Sequence, residues 1–287
     1  MLFRSQVGLS PDLKDPVMLD RIAAIIRPFD RVVVTCPRDR QPAWAVVLKG
    51  THVIGEIMLR DENRLGAIGV GEFATHDTIL VSRGPLSLAN RMKKRLFDLA
   101  ITIPALIGLA PLLAIVAIAI KLESRGPVLF KQMRVGQSNG TFEILKFRSM
   151  RSDASDHHGN RSTGRDDDRI TRVGRIIRAT SIDELPQLFN VLRGDMSIVG
   201  PRPHALGSLA GNELFWEVNE RYWMRHALKP GITGLAQIRG LRGATHRRED
   251  LEDRLQSDLE YLNGWRLSRD FAILVGTVRV LIHPNAY

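Results

Sequence analysis

The chain has 287 residues, enough for one large domain or two modest ones, so a full core needs no disulfide or metal staple. Its single cysteine, Cys36, excludes an internal disulfide and a cysteine zinc cluster and fits a reducing cytoplasm. With 41 Lys and Arg against 31 Asp and Glu, the net charge of +10 calls for an acidic partner: nucleic acid, anionic lipid or a phosphorylated substrate.

In chain order, the opening MLFRSQVGLSPDLKD holds no apolar stretch of signal-peptide length and reads as no export signal. Residues 1–90 read as a small α/β unit, with a helical pattern over 15–29, a strand at Val32, Val33 and Val34, a helical stretch around 44–48, and short strands near Val53 and Ile79. Gly66, Gly69 and Gly71 do not follow the dinucleotide spacing and read as a loop.

Residues 99–120 form a run of 22 without a charge. As a helix it reaches about 33 Å, the thickness of a bilayer core. Both flanks are basic, Arg91, Lys93, Lys94 and Arg95 before it and Lys121, Arg125, Lys131 and Arg134 after it, whereas a simple span is basic on its cytoplasmic side. Pro104 and Pro111 lie inside, and each removes a backbone hydrogen bond. Residues 91–125 are therefore expected to form a re-entrant membrane helix hairpin, with Pro111 as the helix break.

Residues 126–287 read as a mainly α, loop-rich catalytic domain. Within it, residues 213–226 carry Phe215, Trp216, Tyr222 and Trp223 beside Arg221 and Arg225, which suits an interfacial amphipathic helix or, equally, an aromatic helix facing the core. Residues 271–282 are apolar apart from Arg279, too short to span, and expected to pack near the membrane.

The most informative block is RATSIDELPQLFNVLRGDMSIVGPRP, residues 178–203, where adjacent Asp183 and Glu184 precede a proline and an apolar helix. If Pro186 sits in the first helical turn, Asp183 becomes the N-cap, its carboxylate beside free backbone donors at the positive end of the helix dipole. Such a place attracts phosphate and Mg²⁺ together. The plainer alternative is a capping box of Ser181 and Glu184 that only starts a helix. Lys146 and Arg148 in LKFRSM, Arg178, and Arg202 between two prolines have no carboxylate mates in their own motifs, and such cations suit phosphate oxygens.

Taken in order, KRLFD, the apolar run with LAPLL, KFRSM, SIDELPQLFNVLRGDMSIVGPRP and KPGITGLAQ resemble the bacterial sugar transferases of the monotopic phosphoglycosyl transferase superfamily, especially those that prime exopolysaccharide synthesis. The resemblance implies transfer of a sugar phosphate from a UDP-sugar, glucose foremost, to undecaprenyl phosphate at the cytoplasmic face of the bacterial inner membrane. It implies that Asp183 is the nucleophile, that Glu184 assists, and that Mg²⁺ binds through Asp183. By position it makes Lys146, Arg178 and Arg202 phosphate or nucleotide contacts, Asp270 a supporting acid and Arg242 the arginine of a motif that here reads Gln237, Ile238, Arg239, Gly240, Leu241, Arg242. Ala110 stands where the family has a serine before Pro111, and Gly264 and Arg266 replace an Asn and a Ser around Trp265. Residues 1–90 resemble the second half of the nucleotide-binding-like domain of long members, without its front part and four membrane spans. A homodimer through that unit is one arrangement open to it.

Two other function classes compete. A basic nucleic-acid-binding protein would need the apolar run to be core; no nucleic acid is expected. An inactive membrane scaffold would use the arginines on anionic headgroups. The absence of an HExxH pattern argues against a metal protease or deaminase, and His157, His158 and residues 166–168 read as a polar loop.

Overall fold

The computed structural model describes residues 9–58, 68–74, 76–151, 169–241, 245 and 247–282. Asp15 starts the first helix, α1 (Pro16–Ile26): its carboxylate accepts from the amides of Val17 and Met18, and Pro16 occupies the first turn, where its missing N–H costs nothing. Leu19, Ile22, Ala23 and Ile26, spaced three and four apart, form its buried face. Strand β1 (Arg31–Val34) follows, then α2 (Gln41–Lys49) and β2 (Ile54–Met58), which pairs parallel with β1 across the α2 crossover. Strands β3 (Gly69–Phe73) and β4 (His76–Ser82) complete a mixed sheet in the order β1-β2-β4-β3. The small α/β unit is thus present, but Gly69 and Gly71 belong to β3 instead of a loop; Gly66 lies outside the described residues. A Cβ on Gly71 would come within 3.0 Å of the Thr78 hydroxyl, a close approach that favours glycine inside this strand.

The aromatic segment does not form an interfacial amphipathic helix. It folds as a short strand β9 (Glu213–Leu214), paired with β8 (Leu209–Ala210), then α6 (Phe215–Val218) and a 3-10 helix, Glu220–Ala227. Phe215, Tyr222 and Trp223 are buried in one cluster with Leu19, Trp44, Leu48, Ile57 and Leu251, and the Trp223 indole donates to the carbonyl of Leu13. The N-terminal unit supplies the apolar surface that a membrane interface would otherwise have offered, so the sheet shares its core with the C-terminal half.

Helix α3 (Leu88–Glu123) is 36 residues long and starts at Ser87, whose hydroxyl accepts from the amide of Asn90. It is long and apolar enough to cross a membrane, and only 11% of its most apolar window is buried within the protein. The helical backbone continues through Pro104 and Pro111, so no non-helical stretch separates two arms. Phe97, Ile101 and Ala105 from its first half pack with Val191, Met196 and Ile273, while Leu112, Val116 and Ile120 from its second half pack with Phe147 and Ile177.

The rest of the chain is built from a β5–β6 hairpin (Leu129–Val135 and Thr141–Phe147), α4 (Arg172–Ala179), α5 (Gln187–Arg193), a parallel pair of β7 (Ser197–Val199) with β10 (Gly231–Thr233), and helices α7 (Leu235–Ile238), α8 (Arg248–Asn263) and α9 (Leu267–Ile282). On α9, Ile273 is buried while Phe271, Val275 and Val278 stay exposed, an apolar outer face on the closing helix.

Candidate active site

The site is assembled where α4 hands over to α5. Glu123, the last residue of α3, accepts from the amides of Arg172 and Val173, so the end of α3 caps α4. After α4 the chain reverses at Ser181, which adopts a left-handed conformation (φ 56°), and a 3-10 turn, Ile182–Glu184, carries the two acids. Pro186 is the N-cap of α5, which places the start of that helix after Glu184. Asp183 is therefore not a helix N-cap, and Ser181 makes no side-chain capping bond, so the capping box is not formed either. Proline's fixed φ suits the entry to α5 as well as its first turn, and the sequence could not separate these two places.

The adjacent acids live differently. Glu184 is held by two cations at one carboxylate oxygen: Lys146 Nζ from β6 at 2.8 Å and Arg202 Nη2 at 2.8 Å. Burial pushes its carboxyl up, but Arg202 and Lys146 outweigh that and hold it well below the usual range. Asp183 is half-buried and, among the described residues, its carboxylate accepts no hydrogen bond. Burial raises its pKa, Lys146 opposes this, Glu184 adds to it, and Arg178 and Arg202 oppose it further. The result is one fixed anion and one unbonded carboxylate in a cationic setting.

Arg202 is itself positioned from behind. Its carbonyl accepts from Arg225 Nη2 at 2.9 Å, and the buried Arg225 guanidinium donates to Asp258 Oδ2 at 2.6 and 2.9 Å. Gly200, just upstream, has no room for a Cβ, which would lie 2.3 Å from the Lys229 carbonyl, so the KPGITG segment and the GPRP segment lock together at backbone contact. Burial lowers the His204 pKa, with Arg225, Arg254 and Arg134 adding to the effect, so His204 is neutral in the network.

Of the residues singled out from sequence, the structure brings together Asp183, Glu184, Lys146 and Arg202, with Arg178 close enough to influence Asp183. Lys146 and Arg202 do have a carboxylate mate, Glu184, invisible within their own motifs because it comes from a different segment. Arg148 is buried and donates to the Ser124 carbonyl and hydroxyl at 2.7 and 2.8 Å, which fastens the exit of α3. Asp270 is fully buried and accepts from Lys94 at 2.7 Å, Tyr261 at 2.6 Å and Trp265 at 3.1 Å. Its oxygens are occupied by these donors, which join α3, α8 and α9. Arg242 lies outside the described residues, as do His157, His158 and residues 166–168. Pro111 sits inside α3.

One neighbour was missed. Arg134, read from sequence as part of the basic flank, lies close enough to Arg202 and Glu184 to be influenced by both; burial first, then Arg202, brings its pKa down to about 10. The signal available was its place in the β5–β6 hairpin that also carries Lys146.

No group of three His, Cys, Asp or Glu side chains converges among the described residues. A free carboxylate at Asp183 nonetheless fits Mg²⁺, which keeps several waters and takes one or two protein carboxylates beside substrate phosphate oxygens.

Residues 89–284 match the family model described as bacterial sugar transferase. An undecaprenyl-phosphate glucose phosphotransferase of Komagataeibacter xylinus is 48% identical over 242 residues, covering 84% of this chain and 45% of that protein. An exopolysaccharide production protein of Rhizobium leguminosarum bv. phaseoli is 51% identical over 185 residues, 64% of this chain and 92% of that protein. A UDP-glucose:undecaprenyl-phosphate glucose-1-phosphate transferase of Caulobacter vibrioides is 48% identical over 208 residues, 71% of this chain and 76% of that protein. The chain thus spans under half of the first relative and most of the other two, and both acids, their cations and the apolar helix fall within the matched region: the chain belongs to the bacterial sugar transferase family.

Proposed function

We propose that the chain transfers glucose 1-phosphate from UDP-glucose to undecaprenyl phosphate at the cytoplasmic face of the bacterial inner membrane, the priming step of exopolysaccharide synthesis. The observation that carries this reading is the asymmetry of the two acids: Glu184 is tied to Lys146 and Arg202, while Asp183, unbonded among the described residues, feels Lys146, Arg178 and Arg202. The names of the Komagataeibacter and Caulobacter relatives support the donor and acceptor.

In the first step an Asp183 carboxylate oxygen attacks the phosphorus next to the sugar. The bond from that phosphorus to the bridging oxygen breaks, UMP leaves with that oxygen and its electron pair, and a sugar phosphate remains on the carboxylate. In the second step an oxygen of undecaprenyl phosphate attacks the same phosphorus and releases Asp183. Glu184 keeps Lys146 and Arg202 in place to meet the phosphate charge, and Arg178 adds to the field. Mg²⁺ bound through Asp183 would neutralise diphosphate charge.

The same reading takes α3 as a re-entrant element, bent within one helix. Both of its ends are fastened to one body: Arg95 donates to the carbonyls of Val191 and Leu192 at the end of α5, and Glu123 caps α4. A straight crossing would put those ends on opposite sides of the bilayer. Exposed Ile103, Ile107, Ile115 and Ile118 give the buried part of the bilayer its contact.

The test is UMP release by detergent-solubilised protein supplied with UDP-glucose, undecaprenyl phosphate and Mg²⁺, wild type against Asp183→Asn. Release that disappears in the variant supports the reading. No UMP from any UDP-sugar would sink it and favour a scaffold.

A further inference from the structure

Arg134 is a cation of the site to which the reaction above gives no task. The β5–β6 register pairs Phe130 with Lys146, Gln132 with Ile144 and Arg134 with Phe142. Directly paired residues share a face, so Arg134 lies on the same face as Lys146, four residues along, or about 13 Å. The next amide, of Val135, donates to the carbonyl of His204 at 3.2 Å, tying this end of β5 to the segment that carries Arg202. Arg134 is thus held near the segment of Arg202, where it feels the charges of both Arg202 and Glu184.

Its hydrogen bonding is thin for a half-buried arginine. Nη2 donates to the Gln132 side-chain carbonyl, a neutral partner. Nε is buried with no partner, and no carboxylate pairs with the group among the described residues. The negative charge it feels most is Glu184, already shared by Lys146 and Arg202, while Arg202 itself repels it. Among the described residues, Arg134, Arg202 and Lys146 gather around the one carboxylate of Glu184. Cations gathered on one shared carboxylate, with the unused Nε–H of Arg134 among them, are an arrangement that an anion completes. A diphosphate carries two negative charges, and a guanidinium presents its donors in a fork that matches phosphate oxygens.

We propose that Arg134 is a phosphate ligand of this site, acting with Arg202 to hold one phosphate group of the substrates. The proposal rests on the sugar-phosphate transfer reading. Its source is either the donor diphosphate or the acceptor's phosphate monoester, which share the same oxygen chemistry. The role differs from that of Glu184, whose partners it leaves in place, and from Arg225, which touches only the backbone of Arg202.

The experiment uses the full chain in detergent, as wild type, Arg134→Gln and Arg134→Lys, with UDP affinity measured by titration calorimetry and KM measured for UDP-glucose and for undecaprenyl phosphate. Removing a charged hydrogen-bonding partner of phosphate is expected to weaken affinity about 10- to 100-fold. Weaker UDP binding with a raised KM for UDP-glucose assigns Arg134 to the donor; a raised KM for undecaprenyl phosphate alone assigns it to the acceptor. A folded Arg134→Gln protein with UDP affinity and both KM values unchanged overturns the proposal. Should that variant not fold, Arg134→Lys, which keeps the charge and loses the fork, decides by the same criterion. UDP binding that depends on Arg134 in a wild type that releases no UMP would instead overturn the proposed reaction and leave the phosphate site standing.

Discussion

Two kinds of carboxylate cluster in this protein use the same residue types to opposite ends. Behind the site, Asp258 and Arg225 are both almost fully buried and hydrogen-bonded to each other, and beneath α3 Asp270 takes Lys94, Tyr261 and Trp265. At the front, Glu184 holds two cations, and Asp183 accepts no hydrogen bond among the described residues. A fully satisfied buried ion cluster fixes geometry, because losing either partner strands a charge away from water. An incompletely satisfied one stores the capacity to bind and react. The comparison teaches that the number of acids and bases in a motif does not identify chemistry; the unmet valence does.

The comparison breaks most visibly at Asp183. Asp183→Asn is expected to lower UMP release by at least about 10³-fold, the scale for losing an essential nucleophile. It is also expected to raise Tm slightly at pH 7. The sign follows from the raised pKa: stability linked to Asp183 is fully present below its unfolded value near 3.8 and is lost as pH rises through the folded pKa, so at pH 7 the ionised wild type carries that cost. A fall in Tm at pH 7 would remove the contrast between reactive and structural acids. Asp258→Asn should go the other way: it leaves Arg225 without its carboxylate and is expected to cost about 3–5 kcal/mol in unfolding free energy. Retention of full stability in that variant would mean that the Arg225–Asp258 pair does not hold the floor of the site.

Much of the site was legible because its residues sit in compact motifs. The adjacency of Asp183 and Glu184, Lys146 in LKFRSM and Arg202 between prolines survive as one cluster. What the sequence hid was pairing between segments. Arg148 lies two residues from Lys146, yet it follows the last residue of β6, and its guanidinium meets the end of α3, which needs a donor. Nothing local revealed that Lys94, from the basic flank of the apolar run, would bury beside Asp270. The fold was readable where periodicity was long, as in α1 and the apolar helix. It failed at residues 213–226, where either a membrane or the N-terminal unit could cover the same rings and only the tertiary structure decides.

A smaller effect sharpens the comparison through pH. His204, between Arg225 and Tyr222, and His226, beside Asn139, are buried, and both have pKa values held well below 6.5, burial first and Arg225 next. A depressed folded pKa means that stability is present above the unfolded value and is lost as pH falls from about 6.5 toward the folded pKa. Each histidine is then expected to add a slope of up to about 1.4 kcal/mol per pH unit over that window. Urea titrations between pH 7 and 5 measure it, and His204→Gln should flatten the curve. An unchanged slope in that variant would show that the rear cluster takes up protons no differently on unfolding without this histidine.

The smallest effect is expected where ions of the same kinds meet at the surface. Glu260 accepts from Arg239 at 2.7 and 3.0 Å and from Arg269 at 2.6 Å, geometry as good as that of Asp258, yet it is exposed. Those arginines lower its pKa, but water and salt already solvate all three groups, so the pairing replaces one good environment with another. Glu260→Gln should leave Tm and UMP release unchanged within error at physiological salt. A loss of stability as large as that of Asp258→Asn would mean that hydrogen-bond geometry, and not exclusion from water, sets the worth of an ion cluster here, and the distinction between the floor of the site and its reactive front would lose its physical basis.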